Sequence, residues 1–213
     1  MMGDELTDLY ERFRGLVRWP EGSPWLRAPA ARSEIEFVEH ELGYALPDDL
    51  KAMLRIHNGG RLLDAEEWLP CVANRDAGLL AYKQILDGVL AELESAQLLA
   101  GVVPGPRTLQ VTAASQVGVL YDLDEQPGRL LYLEVTSDPP VVPLARSLTV
   151  LLDAYVAMAE AGFVRVDAGL GPRVEGPPDQ VRQIFAEHKV ADVASSGISA
   201  WLQWPGAADF SID

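Results

Sequence analysis

The chain has few of the residues on which disulfide frameworks and metal sites depend. Cys71 is the only cysteine among 213 residues, so no intramolecular disulfide can form. Its apolar neighbours favour a thiol packed as a small hydrophobe. The three histidines, His40, His57 and His188, form no His-x-x-x-His pair, and there is no Cys-x-x-Cys. We therefore expect neither a metal nor a cofactor.

Basic residues are scarce as well. Against 32 Asp and Glu there are 17 Lys and Arg, a formal net charge of -15. This excess would repel a phosphate backbone or an anionic membrane surface, so neither is an expected partner. A basic protein is the better electrostatic match, although solubility alone also explains the charge.

Long apolar runs and catalytic signatures are missing too. No stretch approaches the roughly 20 apolar residues that cross a bilayer, and the first residues do not resemble a signal peptide, so we expect a cytoplasmic location. There is no Gly-x-Ser-x-Gly elbow and no phosphate-binding Gly-x-x-x-x-Gly-Lys sequence. We expect no enzyme; the alternative would require carboxylates or histidines that converge in a pocket.

Apolar residues at spacings of three and four predict a helix at the N-terminus, with Leu16 among its inward residues. A second helix should begin near Ser33, which with Glu36 forms a capping-box pattern, and its inward face should include Phe37. The expected helices after these cover residues 47–60, 76–99, 147–162 and 179–188. In the first of them, Asp48 and Asp49 would lie at the positive end of the helix dipole.

The wide apolar face of residues 76–99 includes Ile85 and predicts a well-buried helix. Next come three segments rich in β-branched and aromatic residues, 108–112, 117–123 and 129–136. Residues 124–128 predict a hairpin loop, and Pro139 and Pro140 should end the meander. Short strands or extended loops are expected at 61–63 and 68–72.

These elements predict an α+β fold with an antiparallel or mixed sheet flanked by helices. Glycine and proline are dense in residues 167–178, which predicts a linker or long loop. We therefore expect a domain at 1–166 and a C-terminal extension at 167–213 that packs on the same domain. Trp201 and Trp204 in the extension would dock on the core or on a partner.

One helix reads Ile-x-x-x-Glu-x-x-Leu-Gly and is followed by Leu-Pro-Asp and by a helix ending in Asn-Gly-Gly. The residues are Ile35, Glu39, Leu42, Gly43, Leu46, Pro47, Asp48, Asn58, Gly59 and Gly60. In this order and spacing the chain resembles the SMI1/KNR4 (SUKH) superfamily over about residues 6–162. The resemblance implies a helix-flanked sheet without catalytic groups.

For bacterial members the resemblance implies an immunity protein that binds and neutralises a toxin. For fungal members it implies a regulatory scaffold in cell-wall signalling, which remains the alternative.

Two acidic turns are the candidate partner contacts. Asp64, Glu66 and Glu67 form one predicted turn, and Asp122, Asp124 and Glu125 form the other. Binding residues often lie in such loops, and these would suit a basic toxin. Their alternative role is only to keep the surface soluble.

Overall fold

The computed structural model describes residues 2–18, 27–59, 79–99, 103–111, 117–124, 129–135, 139–167 and 171–190. The helices are α1 (Met2–Val17), α2 (Arg32–Leu42), α3 (Asp48–Ile56), α4 (Leu79–Ser95), α5 (Leu148–Glu160) and α6 (Pro178–Glu187). The strands are β1 (Thr108–Gln110), β2 (Val117–Asp122), β3 (Arg129–Glu134), β4 (Val141–Ala145), β5 (Val164–Asp167) and β6 (Gly171–Val174). The order of elements confirms the predicted α+β class.

Strands β1 to β4 form one antiparallel sheet in the order β1-β2-β3-β4. The predicted hairpin is confirmed: Asp122 at the end of β2 lies opposite Arg129 at the start of β3. Strand β4 was not predicted, because Pro139 and Pro140 were expected to end the sheet. Pro143 within β4 is exposed, and β4 is an edge strand. Proline has no backbone N–H, and an edge strand tolerates this because one of its sides pairs with no other strand.

The alternation of side chains along the central strands produces two cores. Val119 and Tyr121 face the larger core, which α1, α3 and α5 cover, whereas Leu120 between them faces the smaller one. Leu86 and Leu93 of α4 close the smaller core. Helix α4 therefore packs on the opposite side of the sheet from α5.

The predicted helices are present, with corrections to their ends and faces. Helix α2 begins at Arg32, and Glu34 instead of Glu36 caps it by accepting a hydrogen bond from the backbone N of Ala31 at 2.7 Å. Ser33 is therefore inside the helix. Leu16, Phe37 and Ile85 were expected to be buried, but all three are exposed, because each lies outside the part of its helix that the core covers.

The structure of residues 164–174 corrects the prediction of a linker or long loop at 167–178. Part of the predicted linker forms the antiparallel hairpin of β5 and β6, whose prolines and glycines masked the strand pattern. Helix α6 follows as predicted, and its Val181 and Phe185 belong to the same core as α1 and α5. None of the helices in these ranges is long and apolar enough to cross a membrane.

Several predictions concern residues outside those the structure describes. These are the segments 61–63 and 68–72, and the residues Gly60, Cys71, Trp201 and Trp204.

Candidate functional site

The bend between α2 and α3 is fixed by Glu39. Gly43 ends α2 in the left-handed conformation, with φ of 75°, which favours glycine. The Glu39 Oε1 atom then accepts a hydrogen bond from the backbone N of Leu46 at 2.8 Å and lies 3.3 Å from Lys51 Nζ. The glutamate of the Ile-x-x-x-Glu-x-x-Leu-Gly pattern thus positions Leu46 and Pro47 at the start of α3.

Asp49 joins three elements inside the protein. Asp49 is only 3% exposed. The Tyr121 hydroxyl on β2 donates to the carboxylate, lying 2.8 Å from Oδ1 and 2.9 Å from Oδ2. The backbone N of Leu148, the first residue of α5, donates to Oδ2 at 3.2 Å. Asp49 therefore caps a helix 99 residues further along the chain.

The start of α5 is satisfied by two side chains acting together. Asp49 accepts from Leu148, and the Ser147 hydroxyl accepts from the backbone N of Val150 at 3.2 Å. These donors would otherwise be unpaired in the interior. The Ser147 cap confirms the predicted start of α5. Asp49 was expected only to stabilise the positive end of the α3 dipole, but its side chain is buried and also bonds to β2 and α5.

Burial changes the acidity of this pair. Removal from water raises the pKa of the Asp49 carboxyl, and the hydrogen bonds from Tyr121, Leu50 and Leu148 partly oppose that rise. Burial, followed by the charge of Asp49, raises the pKa of the Tyr121 hydroxyl. Tyr121 consequently remains a neutral donor.

The other end of α3 is clamped by an extended segment, residues 27–30. Backbone hydrogen bonds join Ala30 N to Leu54 O at 2.9 Å, Asn58 N to Ala28 O at 3.1 Å and Arg27 N to Gly59 O at 3.1 Å. Gly59 has φ of 86°, which explains the glycine in the Asn-Gly-Gly sequence. Residues 57–59 thus turn the chain against this segment.

His57 completes the clamp. Its Nδ1 lies 3.0 Å from the carbonyl oxygen of Arg27, so Nδ1 carries the proton and donates. Its ring packs edge-on against Tyr10 of α1, with centroids 5.4 Å apart. The buried Nε2 has no hydrogen-bond partner among the described residues. Burial lowers the pKa of His57 because protonated Nε2 would find no acceptor there.

Asp122, a predicted partner contact, is an internal residue. Its side chain is only 1% exposed, and Oδ2 accepts from Arg129 Nε at 3.1 Å and Nη2 at 3.0 Å. The pair lies where β2 and β3 face each other at the start of the hairpin. Asp122 therefore ends a strand instead of lying in the exposed turn.

Asp124 is exposed, and its carboxylate pairs with Arg107. It accepts from the backbone N of Arg107 at 2.9 Å and from Arg107 Nε at 2.6 Å. These two hydrogen bonds, the backbone one first, lower the pKa of Asp124. Gly105 lies so close that an added Cβ would be 2.0 Å from Asp124 Oδ2.

The remaining predicted contacts, Asp64, Glu66, Glu67 and Glu125, lie outside the described residues.

Sequence reasoning missed the internal roles of Asp49 and Tyr121. The internal position of Asp49 could have been predicted from its spacing, because Asp49 lies on the same helical face as the apolar residues Ala52 and Met53. Within the described ranges, no group of three or more His, Cys, Asp or Glu side chains is arranged to hold a metal ion.

Replacement of Asp49 by Ala should destabilise the protein by about 1–3 kcal/mol for each buried donor left unpaired. In a double-mutant cycle with Tyr121→Phe, the coupling free energy should be about 0.5–3 kcal/mol, since the two side chains share one hydrogen-bonded unit. Urea unfolding of the four proteins measures it. Additive effects of the two substitutions would contradict a direct Asp49–Tyr121 interaction.

His57 should make the protein less stable in acid. Because its folded-state pKa lies below the ordinary value of 6.5, the unfolded chain binds the proton more readily, and stability falls as pH drops below about 6.5. His57→Asn, which cannot titrate, should lose this part of the pH dependence in urea unfolding between about pH 5 and 8. The exposed His40→Asn is the control and should retain it.

Gly105→Ala should destabilise the protein, because the new methyl group must displace the Asp124 side chain from Arg107. Gly15→Ala is the matched control: it lies in α1 with no described atom within 4 Å of the new Cβ, and should leave stability unchanged or higher. Thermal unfolding compares the two. Asp124→Gly in the Gly105→Ala background should relieve the clash, because it also removes the Asp124 Cβ, which would lie 2.7 Å from the new Cβ. Equal losses with and without the Asp124 side chain would contradict it.

Comparison with known proteins finds a family to which part of the chain is similar. The model of the SMI1 / KNR4 family (SUKH-1) matches residues 29–104. No curated protein matches the chain. The matched segment begins in the extended segment that clamps α3 and includes α2, α3 and α4. This match supports the family predicted from the Leu-Gly, Leu-Pro and Asn-Gly-Gly spacing: residues 29–104 are similar to the SMI1/KNR4 (SUKH-1) family.

Proposed function

We propose that the protein is a non-catalytic protein-binding module that acts in the cytoplasm as an immunity protein and neutralises a bacterial toxin. The observation that carries the proposal is the SMI1/KNR4 (SUKH-1) match over residues 29–104. Bacterial members of this superfamily are associated with toxin immunity, as the resemblance of the sequence implies.

The roles of the ionisable groups support a binding function. Asp49, His57 and Tyr121 have shifted pKa values, a property that often marks catalytic groups. Here each is used to connect elements of the fold: Asp49 and Tyr121 bond to each other, and His57 bonds to the Arg27 carbonyl. The shifts therefore have structural causes, which favours recognition over chemistry.

The charge of the chain supports a basic partner. A net charge of -15 accelerates encounter with a positively charged protein, by roughly tenfold to a thousandfold at low salt. Neutralisation would then require a complementary interface of roughly 800 Å² on each partner and no covalent step. A toxin that must hold phosphate groups, such as a nuclease, has the matching charge.

Asp64, Glu66 and Glu67, which the sequence predicts to form an acidic turn, are proposed to meet this partner together with Glu125. Asp124 is exposed and is included in this contact together with its partner Arg107, whereas Asp122 is buried against Arg129 and is not.

Rescue of growing cells tests the proposal. A panel of bacterial toxin domains, beginning with the one encoded beside this gene, is expressed with and without the protein. We expect rescue from one toxin, and a one-to-one complex of the purified proteins whose association slows as salt is added. Charge reversal at Asp64, Glu66 and Glu67 should slow association, flatten its salt dependence and leave thermal stability nearly unchanged.

Failure to neutralise any toxin of the panel would refute the immunity function. Stable binding to several unrelated proteins, without rescue, would favour a regulatory scaffold instead.

A further inference from the structure

The sequence Asn58-Gly59 is prone to a spontaneous reaction of its own backbone. In an Asn-Gly pair the glycine nitrogen can attack the side-chain carbonyl carbon of the asparagine, because glycine has no side chain to hinder the approach. The only other asparagine, Asn74, is followed by Arg75, whose side chain hinders the same attack. Gly59 has φ of 86°, which favours glycine, so the fold requires the reactive pair at this turn.

The reaction is a deamidation, and its only co-reactant is water. The Gly59 nitrogen forms a bond to Cγ of Asn58 and the Cγ–Nδ2 bond breaks, so that ammonia leaves with the proton that the Gly59 amide gives up. Water then opens the resulting imide ring at either of its carbonyl carbons. One opening gives aspartate at position 58. The other gives isoaspartate, in which the main chain continues through the side-chain carbon.

In the folded protein this pair lies inside the clamp that residues 27–30 form with the end of α3. Asn58 is only 7% exposed, and Gly59 is buried as well. The backbone is held on both sides of the reacting bond: Asn58 N donates to Ala28 O at 3.1 Å, and Gly59 O accepts from Arg27 N at 3.1 Å. Ring closure requires the Asn58 side chain to turn onto the Gly59 nitrogen, a movement that these hydrogen bonds and the surrounding core oppose.

Burial also keeps solvent away from the reacting nitrogen. The Gly59 nitrogen becomes nucleophilic only after it loses its proton to a base from solvent, and amide hydrogen exchange depends on the same step. Buried amides exchange from locally opened states, at rates that follow the population of those states. Deamidation at Asn58 should therefore depend on the opening of the clamp.

We propose that Asn58 is a deamidation site that reacts only when the clamp opens, and that the reaction then prevents the clamp from closing again. Isoaspartate adds a methylene group to the main chain between Asn58 N and Gly59 O, so these two groups cannot both return to Ala28 and Arg27. Aspartate instead places a carboxylate where the Asn58 side chain is buried, which is unfavourable unless the charge is paired. Opening of the clamp thus limits the lifetime of the intact chain.

Peptide mapping by mass spectrometry tests the site in the full-length protein. The wild type is kept at mildly alkaline pH, either folded in buffer or unfolded in guanidinium chloride, and the deamidated fraction of the peptide that contains Asn58 is followed with time. In the unfolded chain Asn58 should react faster than Asn74. In the folded protein Asn58 should react at least about tenfold more slowly than in the unfolded chain, because only the opened population reacts.

A variant of the clamp shows which opening limits the reaction. His57→Phe removes the Nδ1 donor to the Arg27 carbonyl but keeps an aromatic ring against Tyr10. It should raise the folded-state deamidation rate by about threefold to tenfold, the effect of losing one hydrogen bond, and the exchange rate of the Asn58 amide by the same factor. The rate in the unfolded chain should stay near that of the wild type. His40→Phe, at an exposed position of α2, is the matched control and should change neither rate.

The modified protein, separated by ion-exchange chromatography, tests the second half of the proposal. Its Arg27 and Ala30 amides, which donate to Gly59 O and Leu54 O in the clamp, should exchange at least about tenfold faster than in the unmodified protein. Unchanged exchange of both amides would show that the clamp closes again and would overturn this half.

Equal deamidation rates in the folded and unfolded wild type would overturn the dependence on the clamp. Absence of the reaction at Asn58 in the unfolded chain would overturn the site itself. A His57→Phe protein whose Asn58 amide exchanges faster while deamidation does not would show that clamp opening is not the limiting step, and would also overturn the proposal.

Discussion

A carboxylate buried away from water is destabilising unless hydrogen bonds satisfy it, and Asp49 meets this constraint by joining three parts of the fold. Tyr121 on β2 and the first amide of α5 both donate to it. Removal of any one partner would leave a polar group unpaired in the core. The position of α3 relative to the sheet and to α5 thus depends on one side chain, which lies directly after Leu46, Pro47 and Asp48.

Other polar residues of this region also hold elements of the fold together. Glu39 fixes the bend before α3, and His57 fixes the extended segment beside its end. Arg107, just before β1, and Arg129 of β3 hold Asp124 and Asp122 at the end of β2. Because most of these charged groups hold the fold together, recognition of a partner would depend mainly on other exposed residues.

Much of the framework could be predicted from the sequence. Helix spacing, the glycine stops after α2 and α5, the Ser147 cap and the β2–β3 hairpin all follow from local patterns, and the structure contains them. Local rules failed where tertiary context decides. Proline rules argued against β4, yet Pro143 is compatible with an edge strand, and the hairpin of β5 and β6 lies in a stretch that reads as a linker.

The candidate site was less predictable, because a sequence does not display long-range partners. Asp49 and Tyr121 are 72 positions apart, and Asp122 looks like an exposed turn residue until its pairing with Arg129 is known. Likewise, the exposure of Ile85 depends on which side of α4 the sheet covers. The spacing of apolar residues shows which side of a helix is apolar, but it does not show how much of that side the neighbouring elements cover.

The most direct measurement of the central interaction is an NMR titration that follows the Asp49 carboxyl carbon and the Leu148 amide proton together. If the carboxylate is buried and accepts from that amide, both signals should change with one midpoint, above the ordinary carboxyl pKa of 3.8. A midpoint at or below 3.8, or a Leu148 amide that does not respond when Asp49 titrates, would contradict the account.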